Sequence, residues 1–198
     1  NPKLTEAYFP LGLSLMKVGR FEDAYVPLGQ TTIDNPDYPD VQNQLGMGFW
    51  ELKKYAEAIN SFKKAIQSDP SFTTPYFNLG QIYVSTGDYP KAIRYLKKGI
   101  NLEPNNLKAH YNLGLVYDIL DRYQDAAGEY WKVAQLNPDD PNIYYNLGWA
   151  LMESERYIEA LVSLKKAIHL NPKNTDAYYS LGWVYGELKR YEEAVVAL

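Results

Sequence analysis

The chain has 198 residues, a net charge of −4 and no cysteine. Disulfides and thiolate metal sites are therefore excluded, and the acidic balance, with no clustered basic stripe, argues against a nucleic-acid partner. No apolar run approaches the roughly 18 residues that cross a bilayer, and no signal peptide opens the sequence; the compartment is left open, a soluble, cytoplasmic chain being the favoured expectation.

One register runs through the sequence. Glycines recur every 34 residues, at Gly12, Gly46, Gly80, Gly114, Gly148 and Gly182. Prolines keep the same step at Pro36, Pro70, Pro104, Pro138 and Pro172. So do alanines, at Ala24, Ala58, Ala92, Ala126, Ala160 and Ala194, and an aromatic residue at Phe21, Tyr55, Tyr89, Tyr123, Tyr157 and Tyr191. With the glycine numbered 8, units span 5–38, 39–72, 73–106, 107–140, 141–174 and 175–198, the last partial. The spacing predicts two helices per unit, exemplified by 142–154 and 157–169. Glycine and alanine admit close backbone approach where the helices cross, and proline ends the second helix. A lone pair cannot bury its apolar face, so neighbours must stack.

In chain order, Asn1-Pro2 keeps the proline register. Residues 1–4 are expected to be the tail of a preceding repeat, and Leu198 falls partway along a second helix, so both ends are expected to be cut from a longer array. Unit one carries Pro10 and Pro27 inside its helices, where kinks are expected. Unit two contributes ELKKYAEAINSFKKAI (51–66). Units three to five are the most regular, with YFNLG, HYNLG and YYNLG, and Pro75, Pro90 and Pro141 fall at helix starts, where no amide is needed. Unit four places Trp131 where Lys63, Lys97 and Lys165 stand elsewhere. It is expected to lie along lysine stems, or to mark a second contact surface.

The segment YNLGWAL at 145–151, with Ala160 and Pro172, resembles the tetratricopeptide repeat. The resemblance covers Thr5 to Leu198. It implies an all-α, right-handed superhelical solenoid of six 34-residue helix-turn-helix repeats, the sixth truncated. First helices (A) would line a concave side that holds a peptide, and second helices (B) the convex side.

At about 100° per residue, positions 4, 7, 8 and 11 of helix A form a packing face. Positions 2, 5, 6, 9, 12 and 13 lie opposite, where an ordinary surface helix is polar. Here they are not. Position 5 offers Phe9, Asn43, Phe77, Tyr111, Tyr145 and Tyr179, and position 9 includes Met47, Trp149 and Trp183. Such a strip suits partner contact, against the alternative that neighbouring helices bury position 5. Position 6 offers Gln44, Asn78, Asn112 and Asn146, a row of carboxamides suited to a peptide main chain. It resembles the asparagine ladder in the repeats of O-linked N-acetylglucosamine transferase, although these residues also serve to bond neighbouring helices. The carboxylate clamp of chaperone adaptors is not matched.

The expected partner-binding set is therefore Gln44, Phe77, Asn78, Tyr111, Asn112, Tyr145, Asn146, Trp149, Tyr179 and Trp183. Glu6, Asp40, Glu51, Asp118, Glu153, Asp176 and Glu187 outnumber Lys17 and Lys108 on this face, which favours a basic and apolar ligand. His110 and His169 occupy unrelated register positions, and His110 is expected to pack in place of tyrosine. No catalytic residue, metal site or cofactor is expected. A self-assembling scaffold through uncapped ends or convex faces, and a recruiting arm of an enzyme, are the competing functional readings.

Overall fold

A computed structural model describes the backbone of residues 2–34 and 38–197, with side chains over 7–31 and 38–197. Asn1, Pro36, Leu198 and the side chains of Pro2 and Glu6 lie outside the described residues. The described chain forms twelve α-helices: α1 (Pro2–Lys17), α2 (Phe21–Asp34), α3 (Pro39–Glu51), α4 (Tyr55–Ser68), α5 (Thr74–Ser85), α6 (Tyr89–Leu102), α7 (Leu107–Ile119), α8 (Tyr123–Leu136), α9 (Pro141–Glu153), α10 (Tyr157–Leu170), α11 (Thr175–Glu187) and α12 (Tyr191–Ala197). Odd-numbered helices are the A helices and even-numbered ones the B helices. They group into two compact units, Asn1–Pro104 and Asn105–Leu198, each described by itself below.

Within each unit every helix packs on the next one in sequence. Helices A also touch one another, as α1 with α3, α3 with α5, and α9 with α11. This arrangement buries helix A on two sides, which the simple one-faced pattern did not anticipate. Val41, Ala109, Ile143 and Ala177 at position 3 are buried, as are Ile82, Val116, Ala150 and Val184 at position 10.

The register residues explain how the pairs close. A Cβ placed on Gly80 would stand 2.6 Å from Leu96, on Gly46 2.6 Å from the Phe62 ring, and on Gly114 2.6 Å from the Tyr130 ring. Position 8 is thus vacated for the side chain at position 24 of the same repeat. Ala24, Ala58, Ala92, Ala126 and Ala160 are fully buried beside these contacts. Each large position-24 side chain removed from water contributes about 1.5–3 kcal/mol.

Helix B stops for the reason its proline suggests. Asp69, Glu103, Asn137 and Asn171 precede prolines and cap α4, α6, α8 and α10 with φ between −132° and −138°. The ring that follows disfavours helical geometry at the residue before it. Pro10 and Pro27 lie inside α1 and α2, while Pro75, Pro90 and Pro141 occupy first turns.

The A–B turn is also periodic. Gly19, Lys53, Gly87, Asp121, Glu155 and Lys189, again 34 residues apart, all adopt positive φ, between 55° and 76°. The next amide reaches back five residues, as from Lys54 to the Phe49 carbonyl (2.8 Å) and from Arg156 to Leu151 (2.8 Å). This is the Schellman closure of a helix C-terminus, and it favours glycine at the left-handed residue. The left-handed conformation costs an L-residue roughly 1–2 kcal/mol, of which the greater freedom of unfolded glycine offsets about 0.5–1 kcal/mol. Lys53→Gly is therefore expected to raise the unfolding free energy by about 0.5–1 kcal/mol. Urea titration would show it; a loss of stability would refute the assignment of strain.

Candidate functional site: the exposed face of the A helices

In the first unit this face is largely self-satisfied. Asn43 is buried, and its Oδ1 accepts a hydrogen bond from Asn78 Nδ2 at 3.0 Å, one repeat further on. Phe77 is half-buried and lays its ring against Gly99 of α6, where a Cβ would collide with it. Gln44 is half-buried and Met47 exposed.

The second unit is more open. Tyr111 is half-buried, tilted against Tyr130 with ring centroids 6.1 Å apart. Tyr145 is half-buried and hydrogen-bonded to Ser180; burial and then the Asp176 charge push its phenol pKa up. Trp149 is 38% exposed, Trp183 41% and Tyr179 66%. Trp149 and Trp183 hold the same register position on α9 and α11, which touch, and the Trp183 ring meets Tyr157 edge-on at 5.9 Å. Asn112 and Asn146 are half-buried at position 6. Met152, one turn beyond Gly148, is buried.

Carboxylates border these rings. Glu153, Asp176 and Glu187 are exposed. Desolvation, then Glu187, Glu155 and Glu153, raise the pKa of Tyr157, the residue whose ring meets Trp183. Asp118 differs from its neighbours. Its Oδ2 accepts the Tyr130 hydroxyl at 2.5 Å, while Oδ1 is out of water and without a partner.

Other marked residues sit elsewhere. His110 is buried at position 4, its Nδ1 2.6 Å from Glu129 Oε2. Trp131 is half exposed on α8, with the Lys132 ammonium 5.3 Å from its ring centroid. Among the described residues no cluster of three or more His, Asp or Glu is arranged to hold a metal ion. Nor is any described helix long and apolar enough to cross a membrane. The arrangement therefore offers aromatic surface, carboxamides and negative charge, which are recognition chemistry.

Residues 13–176 match the family model described as the tetratricopeptide repeat protein 21 C-terminal ARM domain, and 163–196 match a tetratricopeptide repeat model. The chain belongs to the tetratricopeptide repeat family. No curated protein matches it. Among solved structures, the MamA protein aligns with a TM-score of 0.78 at 25% identity, over 87% of this chain and 94% of that one. Pseudomonas aeruginosa PilF aligns with a TM-score of 0.72 at 21% identity, over 99% and 89%. YrrB, described as a TPR protein with an unusual peptide-binding site, gives 0.73 at 22% identity, over 86% and 88%. The tetratricopeptide chain is all-helical, built from helix-turn-helix pairs, and is a repeat module of the protein-interaction type.

Proposed function

We propose that this tetratricopeptide chain binds a segment of a partner protein along the exposed face of its A helices, and does so without catalysis. The observation that carries the reading is the exposure of Trp149, Tyr179 and Trp183 on one face of neighbouring helices. Aromatic rings of this kind supply large contact area at low entropic cost. Asn112 and Asn146 supply donors and acceptors for a peptide main chain. Glu153, Asp176 and Glu187 at the border favour a ligand with basic and apolar residues.

The test compares wild type with Trp149→Ala/Tyr179→Ala/Trp183→Ala as bait in lysate, followed by affinity measurement on the partner recovered. The variant is expected to lose roughly 30-fold or more in affinity, as hot-spot truncation does. Raising salt from about 0.1 M to 1 M is expected to weaken the wild-type complex, because it shortens the screening length. Equal recovery by a variant of unchanged helicity would overturn the proposal.

A further inference from the structure

The opposite side of the second unit holds a cleft of about 970 Å³, walled by α8 and α10 and floored by α9. Its apolar lining includes Trp131, Ala134, Leu147, Leu151 and Val162. Trp131 is 50% exposed and Val162 68% exposed, so two large apolar groups face solvent across it. The cleft opens because position 22 of repeat four is Gly128. A Cβ there would meet nothing within 4 Å, whereas Val162 fills the same register position one repeat later. Glycine inside an exposed helix costs about 1 kcal/mol against alanine, and no close approach or positive φ at Gly128 requires it.

Of the charged residues lining the cleft, Arg156 and Glu159 pair with each other and Lys166 is left; Lys132 is not part of the lining but lies over Trp131, which is. The Glu159 carboxylate is held by Arg156 through two bonds of 2.8 and 2.6 Å. The Lys166 ammonium lies 5.7 Å from the Tyr144 ring centroid and Lys132 lies over Trp131. Each lysine keeps its charge near an aromatic face, and neither forms an ion pair among the described residues. An apolar slot with one lysine in its lining and a second over its Trp131 wall complements an apolar side chain flanked by carboxylates.

We infer that this cleft is a second docking site, and that it takes an acidic segment of a partner protein, anchored by a leucine or aromatic side chain between Trp131 and Val162. Its charge preference is opposite to that proposed for the A-helix face. The two surfaces therefore select different partners, and this inference stands independently of that reading.

The test uses the full chain labelled with 5-fluorotryptophan, whose four indole signals are assigned by single Trp→Phe variants. The probe is a 16-residue synthetic peptide with leucine and phenylalanine anchors flanked by glutamates; a control peptide replaces each glutamate with lysine. The acidic probe is expected to shift the Trp131 signal saturably, and the lysine probe to bind about tenfold more weakly or worse. Gly128→Leu fills the slot while improving helix propensity. It is expected to raise Tm by about 3 °C yet weaken the acidic probe at least about tenfold. Lys132→Glu/Lys166→Glu is expected to reverse the preference between the two peptides. Responses confined to Trp149 and Trp183, or unchanged affinity in Gly128→Leu, would overturn the proposal. A dimer of the unliganded chain that Gly128→Leu dissociates would overturn it too, naming a second copy as the occupant.

Discussion

Leu164→Ala is expected to lower the unfolding free energy by about 2–5 kcal/mol, the range for truncating a fully buried leucine. Leu164 is without solvent exposure, and its Cγ lies 2.7 Å from where a Cβ on Gly148 would stand. Gly148→Ala alone forces that buried side chain to move, at about 1–3 kcal/mol for overpacking; better helix propensity offsets up to about 1 kcal/mol. Joined, the two substitutions relieve one another, because the alanine methyl enters space the leucine has left. The double variant is therefore expected to be more stable than the sum of the singles by at least about 1 kcal/mol, a coupling typical of residues in contact. Urea unfolding followed by helical circular dichroism gives all four corners of the cycle. Costs that simply add would show that the glycine register has another cause.

The second large effect concerns the Tyr130–Asp118 pair. Tyr130 is fully buried at position 24, where other repeats carry Leu28, Phe62, Leu96 and Leu164. Its hydroxyl needs an acceptor there, and Asp118 provides one at 2.5 Å. Burial raises the Asp118 pKa, and the Tyr130 hydrogen bond opposes that rise. Burial, with the Asp118 carboxylate, also pushes the Tyr130 phenol far up. A carboxyl whose folded pKa exceeds its unfolded value contributes stability that is full below the unfolded pKa, near 3.9, and is lost as pH rises through the folded value. Asp118→Asn keeps an acceptor for the hydroxyl and removes that titration. The stability difference, Asn variant minus wild type, is therefore expected to grow from acid toward neutral pH and then level off. Tyr130→Phe leaves both carboxylate oxygens unpartnered and is expected to cost about 1–3 kcal/mol at pH 7. It should also steepen the pH dependence, since the bond that held the pKa down is gone. Tyr130→Phe/Asp118→Val approaches the Val84/Leu96 pattern of repeat three and is expected to recover most of that loss. Thermal and urea denaturation between pH 3 and 7 would check each step; a flat difference for Asp118→Asn would contradict the mechanism.

These cases show which features are legible in a sequence. Gly80 and Ala92 could be placed because the absence of a side chain is a property of one residue, and its 34-residue recurrence fixes the pairing. Pro172 and its equivalents announced the helix ends, since the effect of a proline on the preceding residue is local. The left-handed turn position escaped notice because Gly19, Lys53, Asp121 and Glu155 share no chemistry; their common φ comes from the helix closure around them. Position 5 was harder still. Asn43, Phe77 and Tyr179 hold one register, yet the first is buried, the second packs on Gly99 and the third is open. What separates them is the helix next door, which a reading of single positions does not contain. The cleft beside Trp131 likewise depends on Gly128 and on Val162 from the following repeat. Tyr130 and Asp118 stand twelve residues apart, and nothing in the 34-residue register marks one as the other's acceptor.

The contact between positions 8 and 24 is closed inside each 34-residue period: Gly46 meets Phe62, Gly80 meets Leu96, Gly114 meets Tyr130 and Gly148 meets Leu164. The acceptor required by Tyr130 also belongs to its own period. When a gene segment of this length is duplicated, the copy inherits both halves of its lock. One lineage can then exchange leucine for phenylalanine or tyrosine without waiting for a matching change in its neighbour, so the internal seam of each repeat drifts on its own account.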